Sequence, residues 1–166
     1  GHKEGATIPT YKSAGQVNIF SYSSGVSADG PHIRVSPQVY YYNGGFGLIG
    51  EYAVSKQKVQ KTTASVPMRE QFSNTAWGVS ANYVLTGELA SYKGITPRTN
   101  FDWNKKTWGA FEVVGRYGHL NVDNNIFFFC FASRTSSISQ ADEWGTGLNW
   151  YPHKNVRLSL DYVYTD

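Results

Sequence analysis

The fold class that the sequence predicts is all-β, an antiparallel transmembrane β-barrel, and three observations support it. Apolar and polar residues alternate with a period of two in at least five segments, the pattern of strands whose two faces differ. These segments are about 10 residues long, which is enough to cross a bilayer at a tilt of about 45°. Short turns and longer connections separate them, as in membrane barrels.

The cleanest alternation is in residues 156–165, where Leu158 and Leu160 lie out of phase with Asp161. Residues 16–23 are a candidate further strand whose faces are too alike to orient. No window shows helical periodicity over three turns. The same alternation predicts strands at residues 33–42, 46–57, 75–88, 108–121 and 143–151.

Composition leaves two classes of β protein open. Aromatic residues make up 16% of the chain and charged residues only 16%, against roughly 25% charge in soluble domains. The mean hydropathy is nevertheless −0.41. One interpretation is a barrel with a polar interior and an apolar exterior. The alternative is a soluble, secreted β-sandwich that stacks carbohydrate on its aromatic rings.

Charge and cysteine content exclude other classes. The net charge of +3 comes from scattered basic residues, which does not favour nucleic acid as a partner. Cys130 is the single cysteine, so an intrachain disulfide is excluded. The four histidines lack metal-ligand spacing, and no strand-to-helix elbow presents a nucleophile. We therefore expect no metal, no cofactor and no enzymatic activity.

The connections predict which end of the barrel each one occupies. Asn43-Gly44 is a strong hairpin signal, and a two-residue loop there pairs Tyr42 with Gly45. A second short turn is expected at residues 153–155. Residues 58–74 and 122–142 then fall at the long-loop end, whereas 89–107 is an unusually long connection at the short-turn end. Pro37 lies within a strand, where it removes a hydrogen-bond donor and predicts a bulge.

The alternation also assigns the two faces. Val79, Tyr83, Leu158 and Leu160 are expected to face lipid. An Arg34–Glu51 contact is predicted on the opposite, polar face, which is not net basic. The predicted pore-lining residues are Arg34, Ser36, Gln38, Glu51, Ser80, Asn82, Glu112, Arg116, Asn149, Arg157 and Asp161.

The apolar run at residues 126–131 breaks the alternation inside a long connection. It could fold inward as a constriction or pack against a neighbouring protomer, and the second arrangement is preferred.

Several segments in order resemble the C-terminal part of the phosphate-selective porin O and P family. They are residues 28–30 (ADG), 33–38 (IRVSPQ), 47–52 (GLIGEY), 83–88 (YVLTGE), 91–94 (SYKG), 108–112 (WGAFE) and 147–151 (GLNWY). The resemblance runs from about residue 16 onward, and several segments in register make it specific.

The resemblance implies a sixteen-stranded barrel in a Gram-negative outer membrane, in contact with its lipid. It also implies a homotrimer that passes small anions, including phosphate or polyphosphate. The family's basic cluster for phosphate lies mainly on segments that precede those present here, so its residues are not carried over. Residues 1–166 are expected to be one barrel segment of about six or seven strands, incomplete at both ends, because the chain stops at Asp166 without a closing strand.

Overall fold

One open antiparallel sheet dominates the computed structural model, which describes residues 2–5, 8–63 and 66–166. The elements are β1 (His2–Gly5), β2 (Tyr11–Lys12), β3 (Asn18–Phe20), β4 (Val26–Val35), β5 (Gln38–Asn43), β6 (Phe46–Thr63), β7 (Val66–Val84), β8 (Ala110–Asn121), α1 (Asn125–Phe128), β9 (Gln140–His153) and β10 (Val156–Thr165). The strands of the large sheet follow the order β1-β4-β6-β7-β8-β9-β10, and β5 also pairs with β6. Strands β2 and β3 form a separate two-stranded sheet.

The pairing register keeps the two faces of the sheet separate from strand to strand. Ser80 lies opposite Arg116, and Glu112 lies opposite Asn149. Because side chains alternate along each strand, these residues share one face, which we call the polar face. The other side, the apolar face, carries exposed hydrophobic side chains, with Val79 41% exposed and Leu160 76% exposed. Tyr83 and Leu158 are also exposed on the apolar face, as predicted.

Two rows of aromatic residues cross the apolar face. Each of four consecutive strands, β6 to β9, contributes one ring to each row, always six residues apart. Six residues span about 20 Å along a strand. Such pairs of rows mark the two boundaries of a membrane. The short-turn row is Phe46, Tyr83, Phe111 and Trp150, and the long-loop row is Tyr52, Trp77, Tyr117 and Trp144.

The first hairpin differs from its prediction by one position. Asn43 pairs with Phe46, so the loop is Gly44-Gly45, and Gly44 takes the positive φ of 57°. Arg34 consequently lies opposite Ser55 rather than beside Glu51. The predicted Arg34–Glu51 contact is wrong, although both residues do lie on the polar face.

The bulge lies at a different place from the one predicted. The register is unbroken across Pro37, whose carbonyl accepts a 3.1 Å hydrogen bond from the Tyr52 amide. Pro37 therefore costs the sheet only the one backbone hydrogen bond that its missing N–H would have donated. The register shifts instead between Ala28 and His32, where Gly30 has a φ of 122°.

The connection expected at residues 58–74 is mainly strand. Strands β6 and β7 stay paired as far as Thr63 and Val66, with residues 64–65 outside the described part. Each strand has 18 or 19 residues, far more than the roughly 10 that cross a bilayer. This hairpin therefore extends well beyond the long-loop row.

The edge strands also differ in part from expectation. Strand β10 pairs with β9 alone among the described strands, as predicted, and β1 forms the other edge by pairing with β4. Residues 16–23, a candidate further strand of the barrel, instead include β3 of the separate hairpin. Among residues 2–5, 8–63 and 66–166, no helix has the length and apolar character needed to cross a membrane.

Candidate functional site: a polar sheet face and the segments folded over it

The pairing register places nine of the eleven predicted site residues on the polar face, and Ser36 and Arg157 are in phase with their neighbours Arg34 and Ser159 on that face. Strands β4 and β5 and the link between them supply Arg34, Ser36 and Gln38, and the others lie in register on β6 to β10. Neighbouring strands bring some of these residues together. Ser36 donates a hydrogen bond to Glu51 across the β4–β6 pair.

Glu112 is the centre of a buried hydrogen-bond network near the short-turn end of the polar face. Its carboxylate, on a residue only 6% exposed, accepts bonds from Asn82 at 2.6 Å, Asn149 at 2.9 Å and the Tyr151 hydroxyl at 2.8 Å. The Ser159 hydroxyl in turn donates to the Asn149 side chain at 2.6 Å, so the network joins strands β7 to β10. These bonds satisfy the oxygens of the Glu112 carboxylate, as the burial of a charged group requires.

A second polar contact lies further along the same strands. The guanidinium of Arg116 is 3.4 Å from the Glu143 carboxylate, and both side chains are partly exposed. Arg116 lies across Gly145, where a β carbon would stand 2.9 Å from its Nε. A glycine at this position therefore gives the arginine room to lie along the wall.

A cover folds over the polar face at the long-loop end. It is made of residues 8–23 and residues 122–139, which we call the upper cover. Phe20, Ile126 and Phe131 of this cover are fully buried. They pack against Val59 of β6 and Phe72 of β7, which lie on the polar side of the sheet. The apolar run at residues 126–131 therefore folds inward. The preferred packing against a neighbouring protomer is wrong for its buried side chains, because Phe72 and Phe20 enclose them.

Hydrogen bonds hold the upper cover in place. The Asn74 side chain donates to the Tyr11 hydroxyl at 2.9 Å, and the Ala14 amide donates to Glu143 at 3.2 Å. The two segments also bond to each other, since Ser137 donates to the Ser21 carbonyl at 2.9 Å. These contacts bring the cover next to Arg34, which lines the same 340 Å³ cleft as Tyr11.

A second cover, made of residues 85–98, folds over the polar face at the short-turn end, and we call it the lower cover. Its Ala90 and Ile95 are buried against Val84 and Tyr151 of the polar face. This packing explains why the connection at the short-turn end is unusually long. Burial on its own would raise the pKa of the Glu88 carboxyl in this lower cover, but hydrogen bonds from Thr86 and the Arg98 amide outweigh it and lower the pKa.

Comparison with known proteins identifies the family. Residues 7–166 match the family described as phosphate-selective porin O and P. The chain belongs to this porin family. Over 84 residues it is 34% identical to Porin O of Pseudomonas aeruginosa, a match that covers 49% of this chain and 19% of that protein. The chain thus matches a minor part of the length of this curated relative.

Membership of the porin family separates the two classes of β protein that composition left open. A β-sandwich buries its apolar faces between two sheets. Here the apolar face is exposed across β4 to β10, which suits a sheet with lipid on one side. The sheet is therefore part of a porin barrel, and the soluble carbohydrate-binding alternative is set aside.

The two covers are net cationic. Together they carry the four cations Lys12, Lys93, Arg98 and Arg134 against the two carboxylates of Asp123 and Glu88. The polar side of the sheet itself carries the four cations Arg34, Lys61, Arg116 and Arg157 against the five carboxylates of Glu51, Glu70, Glu112, Glu143 and Asp161. Beside the aqueous path, the net positive charge of this porin segment therefore lies on the covers and not on the polar face of the sheet.

Sequence patterns missed several members of this site. The alternation along β9 places Tyr151 on the same face as Asn149, but its hydrogen bond to Glu112 was not predicted. Tyr11 and Ala14 gave no signal, because they lie in an irregular segment whose position depends on contacts distant in the sequence. No group of three or more potential metal ligands occurs in the described part of the chain.

Proposed function

We propose that this chain forms part of the wall of a water-filled channel in a Gram-negative outer membrane, and that the channel passes small anions, phosphate or polyphosphate among them. The protein is a passive pore and not an enzyme, and it assembles as a homotrimer. The eleven polar-face residues line the pore. The edge strands β1 and β10 pair with further strands of the barrel, because unpaired backbone groups find no water in a bilayer.

The observation that carries this proposal is the division of one sheet into an exposed apolar face and a polar face with charged groups. In a barrel the apolar face meets lipid and the polar face meets the water of the lumen. The membership of the porin family supports the same assignment. The upper and lower covers then narrow the lumen from both ends.

The anion preference of this segment arises from the arginine and lysine groups beside the aqueous path. Glu112 and Glu88 are both 6% exposed and bonded to protein donors. Glu143 is paired with Arg116. Arg34 has no carboxylate partner among the described ion pairs, and Lys93 lies on the lower cover beside Tyr40 and Tyr92 in a cleft of about 540 Å³. These two cations are placed to attract a passing anion.

Planar-bilayer recordings on the full-length protein test the proposal. Wild-type channels should pass phosphate and chloride in preference to potassium. Replacing Arg34 or Lys93 by glutamine should lower the anion-to-cation permeability ratio about two- to fivefold for each charge removed. This factor corresponds to an interaction of roughly 1 kcal/mol, the value for a unit charge in water about 4 Å from the passing ion.

Lys56→Gln is the matched control for this experiment. It removes one positive charge from β6, at a position in phase with Val54 and Tyr52 on the apolar side. The permeability ratio should therefore stay at the wild-type value. A wild-type channel that prefers cations would contradict the proposed pore lining. Equal changes of the permeability ratio in Arg34→Gln and Lys56→Gln would contradict it as well.

A further inference from the structure

The connection between β7 and β8 forms a second structure after the lower cover, on the opposite side of the sheet. Residues 101–108 make a tight hairpin, which we call the aromatic hairpin, closed by an Asp102–Thr107 bridge with backbone bonds of 3.0 and 3.1 Å. The Phe101 amide bonds to the Pro152 carbonyl at 2.8 Å, and the Trp150 indole donates to the Trp108 carbonyl at 2.6 Å. The hairpin is thus fixed to the last residues of β9.

The aromatic hairpin continues the short-turn aromatic row outward. The Phe101 ring is 5.4 Å from Trp150, edge to face, and 5.7 Å from Trp108. The Trp103 ring is 6.1 Å from Trp108, and Trp150 stacks on Phe111 at 6.1 Å. These rings form one chain of contacts from the apolar face to the tip of the hairpin.

The tip combines exposed indole surface with positive charge. Trp103 is 73% exposed and Trp108 is 53% exposed. Lys105 lies 3.6 Å from Asp102, whereas the Lys106 ammonium has no bonding partner among the described residues. Phe101, Trp103, Lys106 and Trp108 line a cleft of about 250 Å³. The hairpin therefore has one uncompensated positive charge beside two tryptophan rings.

We propose that the aromatic hairpin binds the headgroup of an anionic phospholipid at the short-turn boundary of the membrane. Indole rings settle at the level of lipid headgroups because they are apolar with one polar N–H. Trp103 and Trp108 enter this layer, and Lys106 contacts the lipid phosphate, assisted by Lys105. Continuity with the lipid-facing row and the charge at the tip favour a lipid over a second protein chain.

Lipid titration of the full-length protein, followed by native mass spectrometry, tests this inference. Delipidated protein in detergent is titrated with phosphatidylglycerol or with zwitterionic phosphatidylcholine. Phosphatidylglycerol should bind about fivefold more tightly, which is about 1 kcal/mol, the contribution of one lysine near an anionic surface. In the double variant Lys105→Gln/Lys106→Gln the two lipids should bind equally.

Lys56→Gln is the control, because it removes one charge from the apolar side of the sheet at the long-loop end, away from the aromatic hairpin. It should keep the fivefold preference. Trp103→Phe gives an independent readout of position. In liposomes, brominated phosphatidylglycerol should quench the wild-type tryptophan fluorescence more than that of the variant.

An unchanged lipid preference in the double variant overturns the inference. So does quenching by brominated lipid that Trp103→Phe leaves unaltered. If Trp103→Phe dissociates the oligomer while lipid binding stays intact, the hairpin contacts a second copy of the chain, and the lipid assignment is wrong.

Discussion

Replacing Glu112 by alanine is expected to lower the free energy of unfolding by about 3–5 kcal/mol. The substitution leaves Asn82, Asn149 and the Tyr151 hydroxyl without their common acceptor in a buried site. Each unsatisfied buried donor costs roughly 1–3 kcal/mol, and relaxation recovers part of that sum. Urea titration of the refolded full-length protein in lipid vesicles, followed by tryptophan fluorescence, measures the change.

Glu51→Ala is the control for Glu112→Ala. Glu51 is exposed on the same face and accepts a hydrogen bond from Ser36. Its removal should cost less than about 1 kcal/mol, because water replaces the lost partner. Equal losses for the two variants would show that the Glu112 network does not stabilise the wall.

Replacing Val79 by arginine is expected to cost about 2–4 kcal/mol of stability in lipid. Val79 lies on β7 between Trp77 and Tyr83, which belong to the two aromatic rows, two residues from the first and four from the second. An arginine there would enter the apolar band between the two rows, where the bilayer offers no water to its guanidinium. Unfolding in vesicles of defined lipid composition gives the difference from wild type.

Ser80→Arg is the matched partner of Val79→Arg, one residue along the same strand. Ser80 lies opposite Arg116 on the polar face, so the new charge would meet water and one like charge. Its stability loss should stay below about 1 kcal/mol. A larger loss for Ser80→Arg than for Val79→Arg would reverse the assignment of the two faces.

The alternation of residues predicted the strands and their faces, and the pleat of a strand explains this success. Side chains change sides at every residue whatever the loop length, so Leu158 and Asp161 could be separated from the sequence alone. The position of the first turn could not be predicted in the same way. Asn43-Gly44 and Gly44-Gly45 both leave Arg34 and Glu51 on one face, and the two registers differ only in which residues lie opposite each other.

The two covers could not be predicted, because packing distant in the sequence determines them. Phe20, Phe72 and Phe131 come from three separate segments, and none of the segments shows that the others exist. Ile95 likewise meets Tyr151 only after the sheet has formed. The periodicity of the sequence therefore identified the wall of the site, while the segments that narrow it required the structure.

The central claim is that one face of this sheet meets lipid and the other meets the water of a channel. Spin labels at Val79 and Ser80, in a cysteine-free background of the full-length protein in vesicles, test it most directly. The label at position 79 should relax with lipid-soluble oxygen and not with a water-soluble nickel complex, and the label at position 80 should do the reverse. Nickel access at position 79 together with oxygen access at position 80 would contradict the account.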